Sequence, residues 1–201
     1  MILSDLDLRA RLSEKDPSKR LVITPILDDE QIGPAGVDLR LGTRFMVDMR
    51  TRQPVIDPAS EARPISSFFD STYRNFGSRF VLYPGQLVLA STFEYVKLPM
   101  DLFGILVTRS SWNRLGISLL SVVQPGYAGT LTLELTNQSS SAVALYPGLR
   151  IVQLGLFQSA SAPTAPYLSQ VAAKYAAVAG PKVSAISSDH DWEKIRHWPK
   201  D

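Results

Sequence analysis

Two stretches of the sequence repeat one design, and that repetition limits the fold more than any other feature. Arg79 to Val96 places apolar, β-branched and aromatic residues on either side of a Pro84-Gly85 turn, and Leu145 to Phe157 does the same around Pro147-Gly148. Strand-forming runs punctuated by Pro-Gly, with little helical periodicity between them, argue for a closed or double-layered antiparallel β fold of jelly-roll type. Shorter runs extend the pattern upstream: Leu21 to Thr24, Gly36 to Gly42 and Phe45 to Val47 are each bounded by Pro, Gly or Asp and are predicted strands. A continuous parallel sheet does not fit this pattern.

The remaining segments read differently. Ser4 before Asp5, Leu6 and Asp7 can cap a short helix whose Leu8 and Leu12 share a face, ending before Asp16-Pro17. From about Arg50 to Gly77 the chain lacks clear periodicity and is predicted to be an irregular surface excursion. Beyond residue 158 the composition shifts to Ala, Ser and Pro and then to a polar end with tryptophan. We therefore expect a β domain over 1–158 with its amino-terminal helix, and a carboxyl-terminal lid or subunit arm over 159–201.

Composition excludes several function classes. A chain of 201 residues with 45% hydrophobic and 20% charged side chains can bury one core. The formal net charge of +2 is too balanced for a nucleic-acid footprint, so any phosphate site is expected to be local. No apolar run is long enough to span a bilayer, and Met1 to Leu12 carries Asp5, Asp7, Arg9 and Arg11, unlike a signal peptide. Cytoplasmic localisation without a membrane partner is expected. With 0 cysteines, the chain cannot build the His/Cys zinc site used by one large class of nucleobase deaminases. Its histidines, His190 and His197, lie in the polar tail and read as solvated.

Chemistry concentrates in one stretch. Thr108-Arg-Ser-Ser-Trp-Asn-Arg114 offers the forked guanidinium donors of Arg109 and Arg114 beside the hydroxyls and amides of Ser110 and Ser111, where a strand opens into a short helical turn. That combination suits a triphosphate, although an Arg-Ser-Ser turn is also a common helix start. In Leu131-Thr-Leu-Glu-Leu-Thr, alternation puts the leucines on one face and Thr132, Glu134 and Thr136 on the other. On its own, Glu134 could equally be a solvent-facing strand residue.

Taken together, these motifs resemble the dCTP deaminase family of the dCTP deaminase and dUTPase superfamily. The resemblance rests on Arg109-Ser-Ser-x-x-Arg114-Leu-Gly116, Pro125-Gly-x-x-Gly129, Leu133-Glu-x-x-Asn137 and Pro34-Ala-Gly-Val-Asp-Leu-Arg-Leu-Gly42. Tyr83-Pro-Gly, Tyr146-Pro-Gly, Arg150-Ile-Val-Gln153-Leu, and Tyr167 with Lys174-Tyr175 before Gly180-Pro181 continue it along nearly the whole chain. It implies a distorted jelly-roll, or β-clip, subunit of a homotrimer with active sites between subunits, acting on dCTP or a related pyrimidine deoxynucleoside triphosphate. Glu134 would be the general base that activates water, with Ser110 and Arg114 beside it as catalytic partners. Arg109, Ser110, Ser111, Arg114, Gln124, Thr132, Leu133, Gln153, Tyr167 and Lys174 would contact the substrate. Magnesium would ride on the triphosphate, with no protein metal ligand and no zinc.

This chain departs from the family pattern at named places. Eight residues separate Gly116 from Pro125, about three fewer than the family usually carries in a loop that approaches the pyrimidine. Gln124 stands where the family usually has an aspartate that reads the sugar hydroxyl, and Val178 replaces a glutamine of the tail motif. A dUTP or dCTP diphosphatase, a bifunctional deaminase-diphosphatase and a non-catalytic nucleotide sensor therefore stand as alternatives to a deaminase.

Overall fold

The computed structural model describes residues 1–49, 55–59, 64–161, 163–165, 167 and 179–196. It opens with α1 (Asp5–Leu12), capped as expected: the Asp7 amide donates to the Ser4 hydroxyl at 3.3 Å, and the Ser4 amide donates back to the Asp7 carboxylate at 3.0 Å. Leu8 is fully buried and anchors this helix to the sheet. Strands follow in the order β1 (Val22–Thr24), β2 (Ile32–Gly33), β3 (Gly36–Asp48), β4 (Phe69–Tyr73), β5 (Phe80–Leu82), β6 (Leu87–Lys97) and β7 (Leu102–Thr108). After the short α2 (Ser110–Asn113) come β8 (Ile117–Ser118), β9 (Leu120–Val123), β10 (Ala128–Asn137), β11 (Val143–Leu145) and β12 (Arg150–Gln158), with α3 (Asp191–Arg196) near the end.

Every pairing among the described residues is antiparallel, and one sheet runs in the order β8-β10-β6-β3-β12-β7-β9. The runs Gly36 to Gly42 and Phe45 to Val47 are one strand, β3, which is long enough to pair with β12 at one end and with β6 at the other. The register shifts between Leu41 and Phe45, so β3 bends there and joins two faces of a nearly closed sheet. This is the mainly β, jelly-roll-like architecture expected from the repeated Pro-Gly units.

Those two units are not hairpins. Their short first arms, β5 and β11, pair with each other, while their long second arms, β6 and β12, flank β3 on opposite sides. The turn glycines Gly85 and Gly148 sit at φ +69° and +93°, a region only glycine adopts without strain. The expectation of an irregular excursion from Arg50 to Gly77 needs correction at its far end. Phe69–Tyr73 forms β4 on the edge of β3, and its mostly exposed, polar residues give no apolar alternation to read.

The core lies between the curved faces. Leu131, Leu133 and Leu135 of β10 point inward against residues such as Leu39, Leu106 and Ile151, all at most 4% exposed. Complete burial of each such side chain contributes roughly 1.5–3 kcal/mol. Because side chains alternate along a strand, the same inward leucines turn Thr130, Thr132, Glu134 and Thr136 to the opposite face.

Candidate active site

Glu134 opens into a cavity of about 520 Å³, within the size range of small-molecule sites. Its walls are largely apolar: Leu87 and Leu89 of β6, Leu106 of β7, and Val122 and Val123 of β9. Gln124, Tyr127, Thr132 and Tyr167 add polar groups, and Lys182 and Ser184 reach it from the tail. Glu134 is exposed in the single chain, but it faces this concavity rather than a flat surface. Desolvation by the surrounding protein raises its carboxyl pKa above the ordinary 4.5. No described residue hydrogen-bonds that carboxylate. An acceptor of this kind, poised above its usual basicity and unpartnered, can take a proton from water.

The cavity is shaped by strand edges. The segment between Gly116 and Pro125 has no protruding loop, since Ile117–Ser118 pairs with β10 and Leu120–Val123 pairs with β7. Gly116 itself holds φ +87°, and a Cβ there would stand 2.6 Å from Cβ of Ser139, so the turn requires glycine. At Gln124 the chain turns through Pro125-Gly126, with the Tyr127 amide donating to the Gln124 carbonyl at 3.1 Å. The Tyr127 hydroxyl donates to the Thr130 carbonyl at 2.7 Å, and burial pushes its pKa up to about 12, so it stays neutral. Tyr167 is tied on by its amide, which donates to the Pro125 carbonyl at 3.1 Å.

A second group of sequence-predicted residues forms a separate cluster. Nε of Arg109 lies 2.9 Å from a carboxylate oxygen of Asp38 on β3, and Gln153 of β12 pairs across the ladder with Asp38. Asp38 is 8% exposed and its Oδ1 has no hydrogen-bond partner. Desolvation raises its pKa, and Arg109, Arg150 and Arg40 act in the opposite sense. Trp112 of α2 donates its indole N–H to the Arg150 carbonyl at 2.9 Å, holding the α2 turn against β12. Ser110, Ser111 and Arg114 are exposed on that turn, and Arg114 borders a shallow depression with Asn113 and Gln138.

The residues singled out in the sequence thus fall into two places on one chain. Glu134, Thr132, Gln124 and Tyr167 share the cavity, whereas Arg109, Ser110, Ser111 and Arg114 do not line it. The Leu133 side chain is fully buried in the core, so only its main chain is available to a ligand. Lys174, Tyr175, Val178 and His197 lie outside the described residues. Asn137, the last residue of the Leu133-Glu-x-x-Asn motif, is structural: its amide donates to the carbonyls of Leu82 and Ser141 at 2.9 and 2.8 Å. Sequence reasoning missed Lys182 and Ser184, which sit just beyond Gly180-Pro181 where no periodicity marks them. Among the described residues, no three His, Cys, Asp or Glu side chains converge as a metal site. No helix among the described residues is long and apolar enough to cross a membrane.

Known proteins are similar to this chain in sequence and in fold. Residues 2–159 match the dCTP deaminase-like family profile. A dCTP deaminase of Natronomonas pharaonis is 42% identical over 196 residues, covering 96% of this chain and 98% of that one. A protein of Methanosphaera stadtmanae named dCTP deaminase, dUMP-forming, is 38% identical over 195 residues, covering 94% of this chain and 96% of its own. In fold, the chain is similar to the crystal structure of 2′-deoxycytidine 5′-triphosphate deaminase from Agrobacterium tumefaciens, with a TM-score of 0.57 at 24% identity. That likeness covers 77% of this chain and 47% of the other, so the chain spans about half the length of that protein.

Proposed function

The chain belongs to the dCTP deaminase-like family, and from that premise we propose that it hydrolyses dCTP to dUTP and ammonia with Glu134 as the general base. The observation that carries this reading is an unpartnered carboxylate, made more basic by desolvation, at the side of an apolar cavity with room for a pyrimidine nucleoside. Glu134 takes a proton from water as the water oxygen bonds to C4 of cytosine, and passes that proton to N3. It then takes the proton of the new hydroxyl and delivers it to the amino group. The C4–N bond breaks, ammonia departs and the carbonyl of uracil forms. Gln124 can accept a hydrogen bond from the sugar through its amide oxygen. Thr132, the Leu133 main chain and Tyr167 border the bound nucleoside.

The triphosphate needs cations that this cavity does not supply from α2. In our reading a homotrimer brings the exposed turn of one subunit, with Arg109, Ser110, Ser111 and Arg114, over the cavity of the next. There Ser110 and Arg114 adjoin the catalytic water, and Gln153, Tyr167 and Lys174 complete the phosphate contacts. Magnesium travels with the triphosphate as part of the substrate.

Incubation with dCTP and magnesium is expected to release ammonia, and ammonia release undiminished in Glu134→Gln would refute the role of that residue. Mixing inactive Glu134→Gln and Arg114→Ala proteins is expected to restore part of the activity. No recovery after subunit exchange, verified by mass spectrometry, would refute the shared site.

A second reading is favoured by the dUMP-forming relatives, namely that the protein also releases pyrophosphate. Asp38, buried beside Arg109 with one free carboxylate oxygen, is the group available for it. Chromatography of products from dCTP and dUTP decides, since dUTP as the sole end product excludes this activity.

A further inference from the structure

The tail crosses the site in register with β10. The Gly180 amide donates to the Thr130 hydroxyl at 2.9 Å, and the Lys182 amide donates to the Thr132 hydroxyl at 3.4 Å. Both chains advance by two residues between these bonds, so the tail runs alongside the outward face of β10 toward Glu134. Gly180 makes the approach at φ +121°, where a residue with a side chain would be strained. This strap delivers Lys182 to the cavity wall, and Lys182 is the only cationic side chain among the cavity's described lining residues. Lys182 is exposed at the edge of this largely apolar cavity, and because the strap is held by main-chain bonds that do not use its ammonium, that ammonium is available to an acceptor on a bound ligand.

We propose that Lys182 is a further substrate-contacting residue, whose ammonium donates to an oxygen of the nucleotide bound over Glu134. The inference rests on the deaminase reading of the cavity. The acceptor is either a phosphate oxygen or the carbonyl O2 of the pyrimidine, both of which offer a lone pair to a cation. The ammonium carries three donors on a flexible stem, so it acts as a point charge and needs no bidentate geometry.

The test compares Lys182→Met and Lys182→Arg, each made in the intact chain and in the Glu134→Gln background. Neither change touches the main-chain bond to Thr132, and circular dichroism together with thermal melting verifies that the fold is kept. In the Glu134→Gln protein, calorimetric affinity for dCTP is expected to fall about ten- to a hundred-fold with Lys182→Met, the usual scale for losing a charged hydrogen bond. Lys182→Arg is expected to restore most of it. In the active protein the same loss falls on KM more than on kcat. Loss confined to dCTP, with deoxycytidine affinity unchanged, assigns a phosphate oxygen; equal loss for both assigns O2. Unchanged affinity for both ligands in Lys182→Met, or equal loss in Lys182→Arg, overturns the proposal while leaving the deaminase reading intact. Binding that depends on Lys182 in a protein that releases no ammonia does the reverse. A chain that binds neither ligand overturns both.

Discussion

Glu94 and Glu134 stand on neighbouring strands and both have pKa values raised by desolvation, but their hydrogen bonding is opposite. Glu94 on β6 is 0% exposed and fully engaged. It accepts from the Gln31 side-chain amide at 2.8 Å, from the Arg40 main-chain N–H at 2.8 Å and from the Arg40 guanidinium at 3.4 Å. Arg40 is held in turn by the buried Gln31 and, at the edge of the knot, by the exposed Asp28. Glu134 faces the cavity with no described partner. A buried carboxylate whose two oxygens both accept from protein donors fixes strand β6 against β3 and is shut away from substrate. One left open in an apolar cavity is a reagent in waiting. Desolvation alone does not separate the two; the hydrogen bonds do.

The largest expected effect removes the open carboxylate. Glu134→Gln keeps the side chain's shape and loses its basicity, so kcat for ammonia release is expected to fall about 10³-fold, within the range for general acid–base catalysis. Melting temperature should stay near that of the parent, because no described residue bonds this group. A stability loss matching the activity loss would make Glu134 another Glu94 and break the contrast. Glu94→Gln is the converse experiment. It turns an acceptor toward the buried donors of Gln31 and Arg40 into an amide NH2 and is expected to destabilise the fold by about 3 kcal/mol, the upper end for leaving a buried donor unsatisfied. For a chain of this length that is roughly 6–12 °C in melting temperature. Deamination per folded molecule, assayed well below the transition, should remain, and its loss would move Glu94 into the reaction.

Asp38 lies between these extremes, since it is buried like Glu94 yet keeps one free oxygen like Glu134. On the proposed function its bond to Arg109 fixes a guanidinium that contacts phosphate, which would make it a positioning residue. Asp38→Asn should therefore raise KM for dCTP about tenfold through a loosened charge-assisted bond, with a smaller change in kcat. Lys182→Met adds independently to that loss if the two act on different nucleotide atoms. An unchanged KM together with abolished pyrophosphate release would instead give Asp38 a direct part in a second reaction.

How much of this could be read from the sequence depends on the range of the forces involved. The alternation around Glu134 was legible because a strand's period of two is a local property, and the Pro-Gly units were legible because turn chemistry is local as well. The partner of β4 was not, since a polar edge strand is specified by the backbone of β3 rather than by its own side chains. The Arg109 to Arg114 turn announced its donors, but its anchor Asp38 lies on a strand far away in the chain and shows its role only once β3, β12 and α2 meet. Lys182 had no signature at all: main-chain hydrogen bonds to threonines on β10 place it, and those carry no side-chain code of their own.

The pH dependence is the gentlest probe of the contrast. A general base works only when ionised, so kcat/KM must fall as pH drops through the pKa of Glu134 in the free enzyme. Desolvation raises that pKa, and the acid limb is therefore expected above the ordinary 4.5. Glu94 is also raised, but protonation of a group outside the reaction changes stability and not turnover. Its folded pKa exceeding the unfolded one favours the fold at low pH, and that contribution is lost as pH rises through the folded value. The limb in kcat/KM and the part of any melting-temperature shift that Glu94 contributes should accordingly run in opposite directions as pH falls, one losing activity while the other gains stability. Rate profiles and melting curves collected over the same pH series measure both. An acid limb at or below 4.5 would mean that water reaches Glu134 freely in the assembled enzyme, and a limb that tracked the melting curve would assign it to unfolding instead of to the base.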